Sequence, residues 1–174
     1  IDDGYVDTMV LKGKIDHSSA GAQWIWERYR KYKVGQFPAG KYAGQIMSLC
    51  LASHHSGLID CLRPDGKVGF LERVAKSDDR THLQECLQVA DDKIQQRLAE
   101  LATTERIRDC LNFIVELKSQ GLSATVRAFR LGIWTRFLFS CLIDADRINS
   151  ADFEMPSKKV IRRLQTVDWG PAIA

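Results

Sequence analysis

Histidine is the scarce chemical group of this 174-residue chain, with only four present. Three stand at pointed places. His17 follows Asp16 and precedes two serines suited to start a helix, while His54 and His55 are adjacent at the end of an apolar helical pattern. His54 closes that apolar face, so its imidazole should point inward. The fourth, His82, lies in the polar stretch Asp78-Asp-Arg-Thr-His and reads as a solvated side chain. Two carboxylates, Asp144 and Asp146, follow a strongly apolar run. If that run is buried, they need partners, because an unpaired buried charge costs several kcal/mol. Residues two apart on a helix differ by about 200° in direction, so both cannot face one site.

Such a set suits metal chemistry. Neighbouring helical residues project about 100° apart, so His54 and His55 are better placed to address two ions, or an ion and its substrate, than to chelate one. Paired ions stabilise the attacking and leaving oxygens in phosphodiester cleavage. Imidazole with carboxylate suits Mn, Fe, Co, Ni or Zn better than Mg. The same residues also have plain structural readings. His17 can be a capping or surface histidine, His54 and His55 can meet a helix C-terminal dipole, and Asp146 can pair with Arg147. The residues alone leave both readings open.

Helices must position these groups, since periodicity of about 3.6 dominates and strand signals are nearly absent. A first helix starts near Ser18 or Ser19, with Ala22, Ile25, Trp26 and Tyr29 on one face. The break at 35–40 contains Pro38. A second helix begins near Lys41 and runs through Ala43, Met47 and Cys50 to His54. Residues 56–69 form a loop, followed by a short helix at Phe70, Leu71 and Val74. One longer amphipathic helix is marked by Leu83, Leu87, Ala90, Ile94, Leu98 and Leu101. Another is capped at Thr103 or Thr104, buries Ile107, Cys110, Leu111 and Ile114, and stops at Gly121. The last runs over 123–149. It is apolar almost all round from 131 to 145, which predicts the central buried helix. The expected fold is an all-α bundle of about six helices.

Composition agrees with a single globular domain: hydrophobic residues are 45% and charged residues 27%. No apolar run reaches the length of a membrane span, and no membrane partner is expected. The net charge of +3 does not by itself argue for nucleic acid. Five scattered cysteines, with no Cys-x-x-Cys pair, read as buried reduced thiols of a cytoplasmic protein. Basic residues do cluster locally, as Arg127, Arg130 and Arg136, and again as Lys158, Lys159, Arg162 and Arg163. Trp24 falls off the apolar face of its helix near Arg28 and Lys31. It can stack a base there, or simply pack on a neighbouring helix.

Three blocks together resemble the HD nuclease domain of the CRISPR-associated helicase-nuclease of type I systems. They are Asp16-His-Ser-Ser-Ala-Gly-Ala, Ala52-Ser-His-His-Ser-Gly-Leu and Leu142-Ile-Asp-Ala-Asp-Arg. The resemblance implies an HD-like helical bundle over residues 1–155. A basic segment and linker toward a helicase domain in the same natural chain would occupy 156–174. It implies cleavage of single-stranded DNA by one or two divalent transition metals, Mn, Ni, Co or Fe, with Mg also usable. It further implies recruitment by a type I CRISPR surveillance complex. His17, His54, His55 and Asp146 match the family's metal-ligating positions. The namesake His-Asp-x-Gly-Lys motif does not occur in residues 1–16. The chain is therefore expected to be an N-terminally truncated form that holds part of the site and cuts DNA poorly alone. Rival readings are an HD-superfamily phosphohydrolase acting on nucleotides and a non-catalytic docking module.

Overall fold

The computed structural model describes residues 16–164 except 104 and 106, with side chains described as far as Ile161. The chain is all-α: the described residues form nine α-helices and one short 3₁₀ turn. The only extended pairing among them is an isolated bridge between Val34 and Phe37. The helices are α1 (His17–Tyr29), α2 (Ala39–Ser53), α3 (Gly69–Val74), α4 (Asp78–Thr81), α5 (Leu83–Val89), α6 (Asp92–Leu101), α7 (Arg108–Ser119), α8 (Ala124–Glu154) and α9 (Lys159–Leu164). The chain divides into two units, residues 1–139 and residues 140–174, with the division inside α8. The second unit holds the end of α8, the 3₁₀ turn Pro156–Lys158 and α9. Among the described residues no helix is long and apolar enough to cross a membrane.

The first unit is built on the pair α1 and α2. A tight turn reverses the chain between them, with Val34 N–H donating to Phe37 O at 2.9 Å and Phe37 N–H to Val34 O at 3.1 Å. Gly35 supplies the positive φ of 58° that this turn requires. The two helices then run antiparallel and close together. At Gly40 an added Cβ would overlap the Tyr29 carbonyl and Tyr32, and at Gly44 it would stand 3.3 Å from Tyr29 Cβ. Small residues at 39, 40, 43 and 44 thus let the fully packed Tyr29 lie against the backbone of α2. Ala39, Ala43 and Ile46 join Tyr29, Ala102, Ile107, Leu111 and Ile114 in the core. On the other flank Phe70 of α3 is buried and meets Trp26 edge-on, with ring centroids 5.3 Å apart.

Four expectations from the sequence need correction. The central helix is α2, in which ten of fifteen residues are buried, and not α8, in which only Thr135 is. The helix α8 offers Leu131, Trp134 and Leu138 to the core. Phe129, Ile133 and Phe137 point outward and are 68%, 53% and 63% exposed. Apolar character all round buries a helix only where neighbours cover every side, and here one side is covered. The predicted long helix over 83–101 is two helices. Ala90 takes an extended conformation with ψ 135°, and the Asp91 side chain accepts from Lys93 N–H at 2.8 Å to start α6 afresh. The helix expected from Thr103 starts only at Arg108. The intervening carbonyls serve α1 instead, Ala102 O accepting from Arg28 Nε and Thr103 O from Tyr29 Oη. The first helix starts at His17, capped by Asp16, and not at Ser18 or Ser19. Expectations for residues 1–15, Thr104 and 165–174, and for the side chains of Arg162 and Arg163, lie outside the described residues.

Gly40→Ala is expected to lower unfolding free energy by about 1–3 kcal/mol, because backbone on the opposing helix cannot yield to the new methyl. Phe137→Ser on the outer face of α8 should stay within about 0.5 kcal/mol of the parent. Urea unfolding of both variants checks this, and a neutral Gly40→Ala would reject the close α1–α2 contact.

Candidate metal centre

Three of the four predicted ligands come together where α1 begins and α2 ends. His17 occupies the first position of α1. His54 is the C-cap of α2, and His55 follows it. Their ligating nitrogens all lie within 4.8 Å of one another. His17 Nε2 and His55 Nε2 are 2.7 Å apart, a hydrogen bond in which one ring donates and the other accepts. The ring centroids of His17 lie 5.4 Å from His54 and 4.7 Å from His55. Those of His54 and His55 are 3.8 Å apart. The divergence expected of adjacent residues therefore does not separate them, because both long side chains lean toward the start of α1.

His54 is half-buried and its tautomer follows from its partner. Nδ1 lies 2.6 Å from the Leu51 carbonyl, which can only accept, so Nδ1 carries the proton and Nε2 keeps a free lone pair. An imidazole oriented by a backbone carbonyl in this way is the usual support of a metal-ligating histidine. His17 and His55 are exposed, which leaves the outer side of the cluster open to water or substrate.

Asp16 does the positioning, and the sequence reading gave it no role of its own. Its Oδ1 accepts from Ser18 Oγ and Ser19 N–H, both at 2.9 Å, and its Oδ2 from Ser19 Oγ at 2.8 Å. Arg73 Nη1 at 3.3 Å and Lys76 Nζ also reach Oδ2. Five donors saturate the carboxylate's lone pairs, so it has none left for an ion. Burial alone would raise its pKa. The Lys76 ammonium, the Ser19 N–H and the two serine hydroxyls outweigh that and hold the carboxyl well below the usual carboxylate range. Its backbone N–H donates to Arg80 O at 3.0 Å, which fixes the chain as it enters α1. The signal was an Asp directly before a helix with serines two and three residues on, a pattern in which Asp is itself the cap.

The fourth predicted ligand, Asp146, lies on the part of α8 that belongs to the second unit. Both it and Asp144 are exposed, and α8 continues past them to Glu154. The premise of buried carboxylates requiring partners thus falls away. Among the described residues no group of three or more potential ligands includes Asp146.

The remaining candidates settle locally. His82 bonds Glu85 at 2.9 Å through Nδ1. Trp24 packs against the core, with the Arg28 guanidinium 5.4 Å above its ring. Arg127 donates to Leu122 O at 2.7 Å and Arg130 to Gln120 Oε1 at 2.9 Å. All five cysteines are free. Cys86 and Cys141 are exposed and do not fit the expectation of buried thiols. Burial pushes the Cys50 thiol up to about 11 and that of Cys110 to about 12.

Three imidazoles converging from one side fit a borderline divalent ion and leave other coordination positions open. With metal–nitrogen bonds near 2.0–2.1 Å, two ligands stand about 3.3 Å apart in a tetrahedral site and about 2.9 Å apart at a right angle. The His17–His55 pair would part by only a few tenths of an ångström, whereas the wider-spaced nitrogens of the cluster, up to 4.8 Å apart, would draw together. No family model matches the chain, and neither a curated protein nor a solved structure matches it.

Asp16 makes the site acid-sensitive. A carboxylate with a depressed folded-state pKa contributes stability that is full above its ordinary value of 3.8 and is lost as pH falls below it. Unfolding free energy is expected to begin dropping below about pH 5 and to go on falling below about pH 3. Asp16→Asn, which still caps but cannot pair with Lys76 and Arg73, should flatten that drop. Asp16→Ala should cost about 1–2 kcal/mol at neutral pH. Parallel acid limbs for the parent and Asp16→Asn in denaturant titrations would refute this assignment.

Proposed function

We propose that this chain is a metal-dependent phosphodiesterase domain of the HD type that cuts single-stranded DNA. The observation that carries the reading is the convergence of His17 with His54 and His55. These positions are separated by almost forty residues of sequence, yet they meet at hydrogen-bond distance. They are the histidines at which the chain resembles HD nuclease domains. The resemblance also supports, as part of the same proposal, Asp146 as a further ligand, a helicase in the same natural chain and recruitment by a type I CRISPR surveillance complex.

In this reading His17 and His55 hold the ion from its exposed side. His54, with Nδ1–H anchored on Leu51 O, presents Nε2 in a fixed direction. Asp16 positions His17 through the helix start without taking a coordination place. A bound divalent ion supplies a water of lowered pKa and offsets charge on a phosphodiester oxygen. No nucleophilic side chain is needed, and the chain's free thiols have no part in the scheme.

Titration calorimetry with Mn²⁺ and Ni²⁺ is expected to find one ion per chain at the histidines. His54→Ala should weaken it at least about tenfold, the scale on which even supporting groups of a ligand act. In the natural reading frame that carries this chain, circular single-stranded DNA should be cut only with metal and not by His54→Ala. Equal affinity in parent and variant rejects the metal centre. Metal binding without cleavage rejects the nuclease reading and leaves the centre standing.

A further inference from the structure

Beside the histidines, the loop at 56–59 and helix α3 border a cavity of about 490 Å³, within the size range of small-ligand sites. Its place follows from the chain. Ser56 on its wall directly follows His55. Arg73 and Lys76, also on its wall, hold the carboxylate of Asp16, the residue before His17.

The wall carries three cations, Arg63, Arg73 and Lys76, and two carboxylates, Asp60 and Glu72. Arg63 is engaged by Asp65 at 3.6 Å and Glu72 at 2.8 Å. Arg73 and Lys76, by contrast, share the one carboxylate of Asp16, so two cations meet a single anion. Both remain accessible, with side chains 28% and 31% exposed. A phosphate oxygen can be added to such a pair without breaking its existing bonds, since the guanidinium has five N–H donors and the ammonium three. Leu58 and Ile59 give the cavity an apolar stretch suited to a sugar or base, and Asp60 an acceptor suited to a sugar hydroxyl.

We propose that this cavity is a phosphoryl subsite, in which Lys76 and Arg73 clamp a substrate phosphate beside the histidine cluster. Phosphate is the shared chemistry of a free nucleotide and a single strand. The choice of ligand rests on the phosphodiesterase reading, but the site itself is tested without metal.

The test is binding in EDTA of thymidine 5′-monophosphate, by calorimetry, and of a fluorescein-labelled single-stranded oligothymidylate, by anisotropy. Lys76→Gln should weaken binding about tenfold, the scale of one lost charge-assisted hydrogen bond, and Lys76→Arg should restore it to within about threefold. Leu58→Glu places a like charge on the wall without touching Asp16 and should weaken binding by a similar factor. Thermal melts identify any variant that loses binding by unfolding. Lys158→Gln with Lys159→Gln, on the 3₁₀ turn and α9, should leave monophosphate binding unchanged. Monophosphate binding identifies a nucleotide subsite, and cavity-dependent binding of the oligomer alone identifies a strand subsite; both support the proposal. Failure of both probes to bind the parent at millimolar concentration overturns it, as do Lys76→Gln and Leu58→Glu proteins that bind like the parent. Anion binding that survives in a chain unable to hold metal sinks the phosphodiesterase reading alone. Metal binding without anion binding sinks the subsite alone.

Discussion

One carboxylate organises the candidate site. Asp16 ends the incoming chain, caps α1 and ties that start to α3 through Arg73 and to the segment after α3 through Lys76. Gln23, about two turns further on, donates to Val74 O and Lys76 O and repeats the tie between the same elements. The backbone that carries His17 is therefore fixed by bonds made one residue earlier, while its imidazole bonds His55. A saturated carboxylate is stiff because each oxygen is held by several donors at once, and moving it would expose two cations that share it.

The other half of the geometry comes from helix approach. His54 and His55 reach His17 only because α1 and α2 lie close along their shared length, and glycine at 40 and 44 permits that approach. A helix of larger side chains would stand farther off and carry its C-terminus away from the start of α1. The same tight seam makes α2 the buried helix. Small side chains there are covered by neighbours on several sides, while the bulkier α8 is covered on one.

Much of this was legible in the residues. The apolar faces of α1 and α2 and the all-α class follow from periodicity alone, and His54, expected to point inward, is half-buried. What was missed has one cause. Composition along a helix says which faces prefer burial, but not which neighbours are present to bury them; Phe129, Ile133 and Phe137 share the pattern of core residues and stand in solvent. Asp144 and Asp146 inherited the same error, since their supposed need of partners was argued from the burial of α8. Local polar contacts were missed for a different reason. The local pattern offered Asp16 as the cap of α1, but its pairing with Arg73 and Lys76, some sixty residues away, could not be read from it. The break at Ala90 was hidden because its extended residue kept the apolar spacing on either side.

The histidine pair would also constrain how an ion entered the proposed centre. His17 Nε2 and His55 Nε2 face each other across 2.7 Å, so one of them carries a proton. Both can ligate through these atoms only if that proton leaves the contact, either by moving to Nδ1 of its own ring or by release to water. His54 needs no such change, because its proton already rests on Nδ1 against Leu51 O. The cluster is thus asymmetric: Nδ1–H of His54 is held by Leu51 O at the end of α2, whereas His17 and His55 share a proton between their Nε2 atoms. In the proposed centre the His17 and His55 rings would part by a few tenths of an ångström and the wider-spaced nitrogens, up to 4.8 Å apart, would draw together, while the two helix ends stay where Asp16 and the α1–α2 seam hold them.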